Sequence, residues 1–338
     1  MGAPDRTVST SNPSPLGRHG VYLPDPGNIR RVADLLDLLE KTSRTFALSI
    51  PPLPEPTRRE VTVAYLLFRI ADTFEDASHA LPEARIRALR DFSSLVADSR
   101  LDEAVRLSRE WTEAGVAANP GDRELLAEVP FVLDAFCALS PGAAQAIRRH
   151  VIRSADGMAD FVARTRDGRL TLSDLDDLKA YCHVVAGLVG EMLTELFLLD
   201  RPCLAAEAGA LLSRADAFGE ALQLVNILKD VDNDASEGRT FLPADVPPRE
   251  VFALARRDLV AAGEYIGALE RAHAPRGILE FTALPVELAW ASLEKIEKNG
   301  PGSKVSRPEV HLLARRVRHA LDTGESLAQR LSNARDRA

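Results

Sequence analysis

Residues 61–76 read V-T-V-A-Y-L-L-F-R-I-A-D-T-F-E-D, an apolar stretch that ends in three carboxylates, Asp72, Glu75 and Asp76. Side chains three, four and seven positions apart share one face of an α-helix. Tyr65 and Arg69 precede Asp72 at this spacing, and Asp76 continues it, so the stretch predicts a helix with one polar stripe. Taken alone, the motif is explained more simply by an acid-rich helix end that faces water.

A second stretch repeats the arrangement. Residues 221–243 read A-L-Q-L-V-N-I-L-K-D-V-D-N-D-A-S-E-G-R-T-F-L-P, an apolar helix that again ends in D-x-x-x-D, here Asp230 and Asp234. Asn226 and Gln223 lie one and two turns earlier on the same face. Carboxylate and amide oxygens suit Mg²⁺, an ion that keeps several waters and is completed by substrate phosphate. Two such helices facing each other therefore predict a Mg²⁺ site for a diphosphate.

Basic residues near both motifs would complete this anion pocket, because guanidinium and ammonium groups bind phosphate oxygens. The candidates are Arg44, Arg69, Lys229 and Arg239.

A third stretch, residues 177–197, reads D-L-K-A-Y-C-H-V-V-A-G-L-V-G-E-M-L-T-E-L-F. Tyr181, Val185 and Leu188 share one face of the expected helix. Gly187 and Gly190 each cost about 1 kcal/mol relative to alanine in a helix interior, so they require an explanation. Either two helices pack closely here, or the glycines leave room for a long apolar substrate with the Tyr181 hydroxyl at its mouth.

Composition and periodicity predict one all-α domain. The 338 residues are 46% apolar and only 5% aromatic, and apolar positions recur at helical spacing from Ile29 onward. We expect a flexible leader over residues 1–28 and a single domain of about ten helices over residues 29–335, without a convincing pair of strands.

Charge and cysteine usage restrict the function classes. The net charge of −8 argues against a general nucleic-acid binder. Three cysteines cannot form a disulfide framework, so we expect buried thiols and a cytoplasmic location. No secretory signal and no uninterrupted apolar run of about 18 residues is found. The amphipathic last stretch leaves peripheral association with the inner membrane face open, and we expect a monomer or weak oligomer.

The sequence resembles the squalene/phytoene synthases, which join two isoprenoid diphosphates head to head. The resemblance rests on segments in the family's order: T-S-R-T-F-A-L (42–48), residues 65–76, G-M-A-D-F-V (157–162), Y-C-H-V-V-A-G-L-V-G (181–190), residues 223–234, E-G-R-T-F-L-P (237–243) and L-E-F-T-A-L-P (279–285). The forms of residues 72–76 and 181–190 are more similar to squalene synthases, and the chain resembles the bacterial type.

This resemblance implies the isoprenoid synthase fold around a central apolar cavity. It also implies a role for each matching position. Metal and diphosphate binding would fall to Asp72, Glu75, Asp76, Asn226, Asp230 and Asp234. Contacts to substrate would come from Ser43, Arg44, Phe46, Tyr65, Arg69 and Gln223. Tyr181 would assist ionisation and proton transfer, and Phe281 would line the pocket for carbocations.

Two positions depart from the family's pattern, Lys229 and Asn233, which replaces the acid before Asp234. Lys229 stands where squalene synthases carry arginine, which keeps the charge but not the bidentate geometry. For NADPH, the resemblance points to Lys304 and Arg307 in the segment N-G-P-G-S-K-V-S-R (299–307), where a plain basic loop is an equal explanation.

The leading hypothesis is Mg²⁺-dependent, NADPH-dependent squalene synthesis from two farnesyl diphosphates. The alternatives within the family are a presqualene diphosphate or dehydrosqualene synthase without NADPH, and a phytoene synthase that uses geranylgeranyl diphosphate. Outside it remain a helical scaffold or lipid-binding homologue and a terpene cyclase.

Overall fold

The computed structural model describes residues 26–43, 45–167 and 169–335. These residues form almost entirely helix, as the sequence predicts. The α-helices are α1 (Pro26–Thr42), α2 (Phe46–Ser49), α3 (Thr57–Glu75), α4 (Pro82–Asp98), α5 (Leu101–Glu113), α6 (Pro120–Ala127), α7 (Val129–Cys137), α8 (Pro141–Ala163), α9 (Leu175–Cys182), α10 (Leu188–Asp200), α11 (Ala208–Leu212), α12 (Ala215–Ser236), α13 (Pro248–Arg271), α14 (Arg276–Asn299), α15 (Arg307–Thr323) and α16 (Leu327–Arg335).

The sixteen α-helices of the described residues exceed the expected number of about ten, because several expected helices are interrupted. Glu128 leaves helical geometry and Pro130 follows two residues later, which separates α6 from α7. Gly324, in the left-handed region with φ 74°, ends α15 before α16. A π-helical turn, His183–Gly187, separates α9 from α10, and a 3₁₀ helix, Pro202–Glu207, precedes α11.

Two short strands correct the expectation that the chain has no strand pair. β1 (Leu170–Thr171) and β2 (Arg239–Thr240) pair in parallel, with Leu170 opposite Arg239. Each strand has only two residues, too few for the alternating pattern by which a sequence reveals strands. The pairing fixes the chain directly after α12 and therefore the position of Arg239.

The central helices α3, α8, α10, α12 and α14 surround the core. α3 is buried along most of its length and packs on α8 and α10, whereas α12 packs on α10, α13 and α14. α3 is buried from its first turn onward, including its apolar residues. Its acidic end therefore continues a core helix and not a surface helix.

The glycines of the third stretch lie at a close crossing of helices. A Cβ atom added to Gly190 would lie 1.9 Å from the carbonyl oxygen of Ala215, and one added to Gly219 would lie 2.0 Å from that of Ala186. Such distances leave no space for a side chain, so close packing explains Gly190. Gly190 also lines the central cavity described below, so the two explanations are compatible.

One segment of the described residues, Leu175–Asp200, is long and apolar enough to cross a membrane by length and composition. Half of the most apolar part of this segment is buried inside the protein, where the segment packs on α8 and α12. The cysteines are free thiols, but only Cys182 is buried. Because Cys137 and Cys203 are exposed, the expectation of three buried thiols was wrong.

Candidate active site

An apolar cavity of about 250 Å³ lies between α2, α3, the π turn with α10, α12 and α14. Several residues expected to contact substrate line it, namely Phe46, Tyr65, Arg69, Val185, Gln223, Asn226 and Phe281. Phe281 is buried and packs edge-on against Phe197. The cavity thus has the apolar, partly aromatic lining that the family resemblance implies.

The acidic pocket adjoins this cavity and shares Arg69, Asp72, Val185, Gln223 and Asn226 with it. Its other lining residues include the remaining acids of both motifs and three further polar groups: Glu75, Asp76, Asp230, Asp234, Tyr181, Lys229 and Arg239. The structure therefore brings both D-x-x-x-D motifs together at one end of the apolar cavity.

Arg239 joins the two motifs directly. Its Nη1 donates to Asp76 Oδ1 at 2.5 Å, and its Nη2 donates to Asp234 Oδ1 at 3.2 Å and to Glu237 Oε2 at 2.6 Å. Arg239 belongs to β2, and its guanidinium lies over the Phe241 ring. The guanidinium is thus a cation that lies between carboxylates of α3 and α12. A site that holds one cation between two sets of acids has the charge and the donor atoms that Mg²⁺ requires.

Three carboxyl groups of this pocket, those of Asp72, Glu75 and Asp234, have raised pKa values. Burial raises the pKa of Asp72 to about 7, with Asp76 adding to the effect and Arg69 opposing it. Burial together with the charge of Asp76 raises the pKa of Glu75 to about 8. Burial also raises the pKa of Asp234 to about 6 against the effect of Arg239. A divalent cation would stabilise the ionised forms, so the donor set fits Mg²⁺.

α12 bends at Asp230, the first acid of its D-x-x-x-D motif. Asp230 has φ −103° and ψ 17°, outside helical geometry, although the helix continues to Ser236. The Lys229 ammonium lies 3.1 Å from Asp230 Oδ2 and donates to Asn226 Oδ1 at 2.9 Å. The Lys229 carbonyl accepts from the N–H of Gly302 at 2.7 Å. The bend therefore connects the acid motif to the loop that contains Lys304.

Arg69 lines the acidic pocket with Asp72 and Asp76, as the polar stripe predicts, but its hydrogen bonds go to another helix. Its Nε and Nη2 donate to the two carboxylate oxygens of Asp122 on α6, at 2.8 and 2.5 Å. Asp122 is buried and also accepts from the side chain of Asn119, whose Oδ1 caps α6. Sequence reasoning missed Asp122, since N-P-G-D signals only a helix start and nothing local shows that it faces α3.

Tyr181 is buried beside the acids. Its ring stacks on Phe241 at 4.5 Å and meets Phe161 edge-on at 5.2 Å. Its hydroxyl donates to Glu75 Oε1 at 3.4 Å, and burial holds the pKa of Tyr181 well above its usual value. Glu75 does not share the helix face of Asp72 and Asp76. It is a buried acid and faces this hydroxyl instead.

The segment before α3 packs against Tyr65 of that helix. The Tyr65 hydroxyl donates to the carbonyl of Thr42 at 3.2 Å, and its ring packs 5.2 Å from that of Phe46. Ser43 Oγ accepts from the N–H of Phe46 and so holds the first turn of α2. Arg44 lies outside the described residues.

Leu188 is buried but is not among the described residues that line the cavity or the acidic pocket. The π turn inserts one extra residue into the helical register. Val185 and Val189, which lie four positions apart, line the cavity, and the predicted Leu188 does not.

A third pocket of about 470 Å³ shares Asn226, Lys229 and Asp230 with the acidic pocket. Lys304 lines it, together with Val305 and Val310. Arg307, at the start of α15, is exposed and is not among the described residues lining this pocket. The two residues expected to contact NADPH are therefore separated: one faces a pocket and the other faces solvent.

Paired acid motifs at the mouth of an apolar cavity in an all-α chain define an isoprenoid synthase fold. The solved structure of TcSQS with a bound ligand superposes with a TM-score of 0.73 over 91% of this chain and 97% of that one, at 24% identity. A dehydrosqualene synthase in complex with a ligand gives a TM-score of 0.57 over 88% of this chain and 98% of that one, at 22% identity.

The sequence profile of the squalene/phytoene synthases matches residues 39–251. A squalene synthase of Candida albicans is 32% identical over 219 residues, which cover 65% of this chain and 47% of the relative. One from Schizosaccharomyces pombe is 34% identical over 226 residues, or 65% and 45% of the two chains. The match thus spans about half the length of these relatives. The chain belongs to the squalene/phytoene synthase family, whose members are prenyltransferase-type enzymes.

Proposed function

We propose that this protein condenses two farnesyl diphosphates head to head, through presqualene diphosphate, to squalene, with Mg²⁺ and NADPH. The observation that supports this most is the arrangement of the two acid motifs, which share one pocket at the end of an apolar cavity. A hydrocarbon chain in the cavity would place its diphosphate among the acids. The similarity to squalene synthases over 65% of the chain supports the same substrate class.

The acids at the mouth would hold Mg²⁺, with Asp72, Asp76, Asp230 and Asp234 as carboxylate ligands and Asn226 as an amide ligand. When bound, Mg²⁺ supplies positive charge that makes diphosphate a better leaving group. Arg239 and Lys229 would bind the phosphate oxygens beside it. Because Arg239 bridges Asp76 and Asp234 in the ligand-free protein, its guanidinium is already positioned where the leaving group's charge develops.

The cavity protects the allylic cation that remains after ionisation. Water would capture this cation as an alcohol, whereas apolar walls exclude water and the faces of Phe46, Tyr65 and Phe281 stabilise positive charge without attacking it. The double bond of the second substrate then attacks, and loss of a proton closes the cyclopropane ring of presqualene diphosphate.

Tyr181 would move that proton or hydrogen-bond to the departing diphosphate. Its hydroxyl is buried between the acids and the apolar wall and retains its proton at neutral pH. Glu75, whose pKa burial raises to about 8, is the acceptor within reach of this hydroxyl.

NADPH, when bound, supplies the hydride that ends the second ionisation as squalene. Lys304 and Lys229 provide two cations on the wall of the third pocket for its phosphates. The rival within the family, condensation without reduction, is favoured by one observation: the exposed Arg307 does not reach this pocket.

We further propose that residues 29–335 act as one catalytic domain, in a cytoplasmic protein that is a monomer or weak oligomer. Its apolar product would leave through contact with the membrane surface.

Product analysis tests the proposal. Purified protein is incubated with Mg²⁺ and either farnesyl or geranylgeranyl diphosphate, with and without NADPH, and the hydrocarbons are identified by gas chromatography and mass spectrometry. Squalene that forms only with NADPH is the expected result. Dehydrosqualene in both reactions would refute the reductive step, and product only from geranylgeranyl diphosphate would refute the substrate.

A further inference from the structure

A second group of metal-ligand side chains lies outside the three pockets. One ring nitrogen of His183 and one carboxylate oxygen from each of Asp216 and Glu220 lie within 4.8 Å of one another. His183 Nδ1 and Glu220 Oε1 are 3.3 Å apart. Neighbouring ligands in a tetrahedral site with bonds of about 2.0 to 2.1 Å stand about 3.3 Å apart, so this pair has the spacing of two zinc ligands.

The fold brings these three residues together at the close helix crossing. Asp216 and Glu220 lie one turn apart at the start of α12, so they share a face. His183 is the first residue of the π turn, whose extra residue changes the direction of the side chains that follow α9. The neighbouring backbones touch at Gly219, where Ala186 leaves no space for a Cβ atom.

The opposite nitrogen of His183 points towards a carboxylate, at ion-pair and not hydrogen-bond distance. Its Nε2 lies 3.8 Å from Glu191 Oε1, and Glu191 accepts from Arg153 at 2.9 Å. Metal-binding histidines almost always direct their second ring nitrogen at a carboxylate, carbonyl or water, which fixes the tautomer and the ring orientation. This arrangement leaves Nδ1 directed at the two carboxylates of α12.

A buried acid behind the group adds negative charge that Arg257 offsets only in part. Asp258 on α13 is 4% exposed, and its Oδ2 has no hydrogen-bond partner among the described residues. Its other oxygen accepts from Arg257 Nε at 3.2 Å. Burial and the charges of Glu220 and Asp216 raise the pKa of Asp258 to about 6. Several carboxylates thus share a region in which a divalent cation would offset their repulsion.

We propose that His183, Asp216 and Glu220 bind one divalent transition-metal ion, with Zn²⁺ as the best match, at a structural site separate from the acidic pocket. One imidazole and two carboxylates suit Zn²⁺, whereas Mg²⁺ prefers oxygen ligands alone. A water molecule completes the tetrahedron. The ion fastens the π turn, whose Val185 and Ala186 line the cavity, to α12. This site is independent of which isoprenoid the protein uses.

Metal titration of the full-length protein tests the proposal. Zn²⁺ is titrated calorimetrically in the presence of excess Mg²⁺, and Co²⁺ is added separately to record its visible absorption, which reports a tetrahedral site. We expect one tight Zn²⁺ equivalent and an intense Co²⁺ band in the unmodified protein. Glu220→Gln should weaken Zn²⁺ binding by about tenfold or more and remove the band, since changes even around a metal site cost about 10- to 100-fold.

Two control variants separate this site from other acids. Glu195→Gln removes a carboxylate that contacts a different histidine, His150, at 3.2 Å, and should leave Zn²⁺ affinity unchanged. Asp76→Asn alters only the acidic pocket and should also retain the tight equivalent.

Equal affinity in Glu220→Gln and the unmodified protein overturns the proposal, as does loss of the equivalent in Asp76→Asn alone. Asp216→Asn provides the same comparison should Glu220→Gln fail to give the circular dichroism spectrum of the folded protein.

Discussion

The burial and geometry of the ion pair between Arg69 and Asp122 allow an estimate of the free energy of unfolding that is lost when the pair is broken. The Asp122 side chain is 6% exposed and that of Arg69 is 24% exposed, and two hydrogen bonds join them. Removing one partner from a fully buried pair costs about 3 to 5 kcal/mol. Because water reaches part of Arg69, we expect Asp122→Asn to lower the free energy of unfolding by about 2 kcal/mol.

Glu124→Gln is the matched control, since it removes a carboxylate from the same helix, α6. Glu124 pairs with Lys41 at 2.7 Å, but both side chains are more than one third exposed. We expect a loss of at most about 0.5 kcal/mol, as for other exposed ion pairs. Urea unfolding followed by circular dichroism measures both variants. Equal losses in the two variants would refute the reasoning that burial of Asp122 makes its pair the stronger one.

Three further substitutions test the packing, the buried acids and the hydroxyl. Gly190→Ala should destabilise the protein by about 2 kcal/mol or more because its Cβ would overlap a carbonyl oxygen, whereas Gly209→Ala, with nothing within 4 Å, should stay within about 1 kcal/mol in thermal unfolding. Burial raises the pKa of Glu60 to about 8 from its ordinary 4.5. The protonated side chain therefore contributes its full stabilisation below pH 4.5, and this contribution is lost as the pH rises through 8. Glu60→Gln should therefore be the more stable form near pH 9, by on the order of 2 kcal/mol in urea unfolding; a less stable variant there contradicts the shift. Tyr181→Phe keeps the ring stacking but loses the hydrogen bond to Glu75, so turnover should fall at least about tenfold while the KM for farnesyl diphosphate changes little, and an unchanged rate would reduce Tyr181 to packing.

Helical periodicity was sufficient to predict the class of fold, because apolar residues at three- and four-residue steps are a local property of each helix. The interruptions were harder to predict. The two-residue strands β1 and β2 are held by pairing between distant segments, and the π turn at His183–Gly187 has the composition of an ordinary helix. Both features depend on tertiary contacts, and both decide where site residues point.

The juxtaposition of the acid motifs followed from their spacing, which repeats on two apolar helices. The partner of Arg69 could not be predicted from the sequence. Asp122 lies at the start of α6, and its local sequence does not indicate that it faces α3. Leu188 was assigned to the cavity by its three-residue step from Val185, whereas Val189, at a four-residue step, lines it instead. The face on which a residue lies is thus largely predictable, whereas the individual partner that Arg69 meets on another helix is not.

The central claim is that Asp72, Asp76, Asp230 and Asp234 form one Mg²⁺-dependent diphosphate site. Calorimetric titration with inorganic pyrophosphate and Mg²⁺ tests it without any condensation reaction. Asp76→Asn and Asp230→Asn should each weaken Mg²⁺-dependent binding at least about tenfold, and their double variant should lose less than the sum of the two effects, as groups in one site do.

Asp232→Asn is the control, because Asp232 is exposed on the same segment and does not line the acidic pocket. The account predicts that this variant binds pyrophosphate as the unmodified protein does. Unchanged Mg²⁺-dependent pyrophosphate binding in either Asp76→Asn or Asp230→Asn would contradict the shared site.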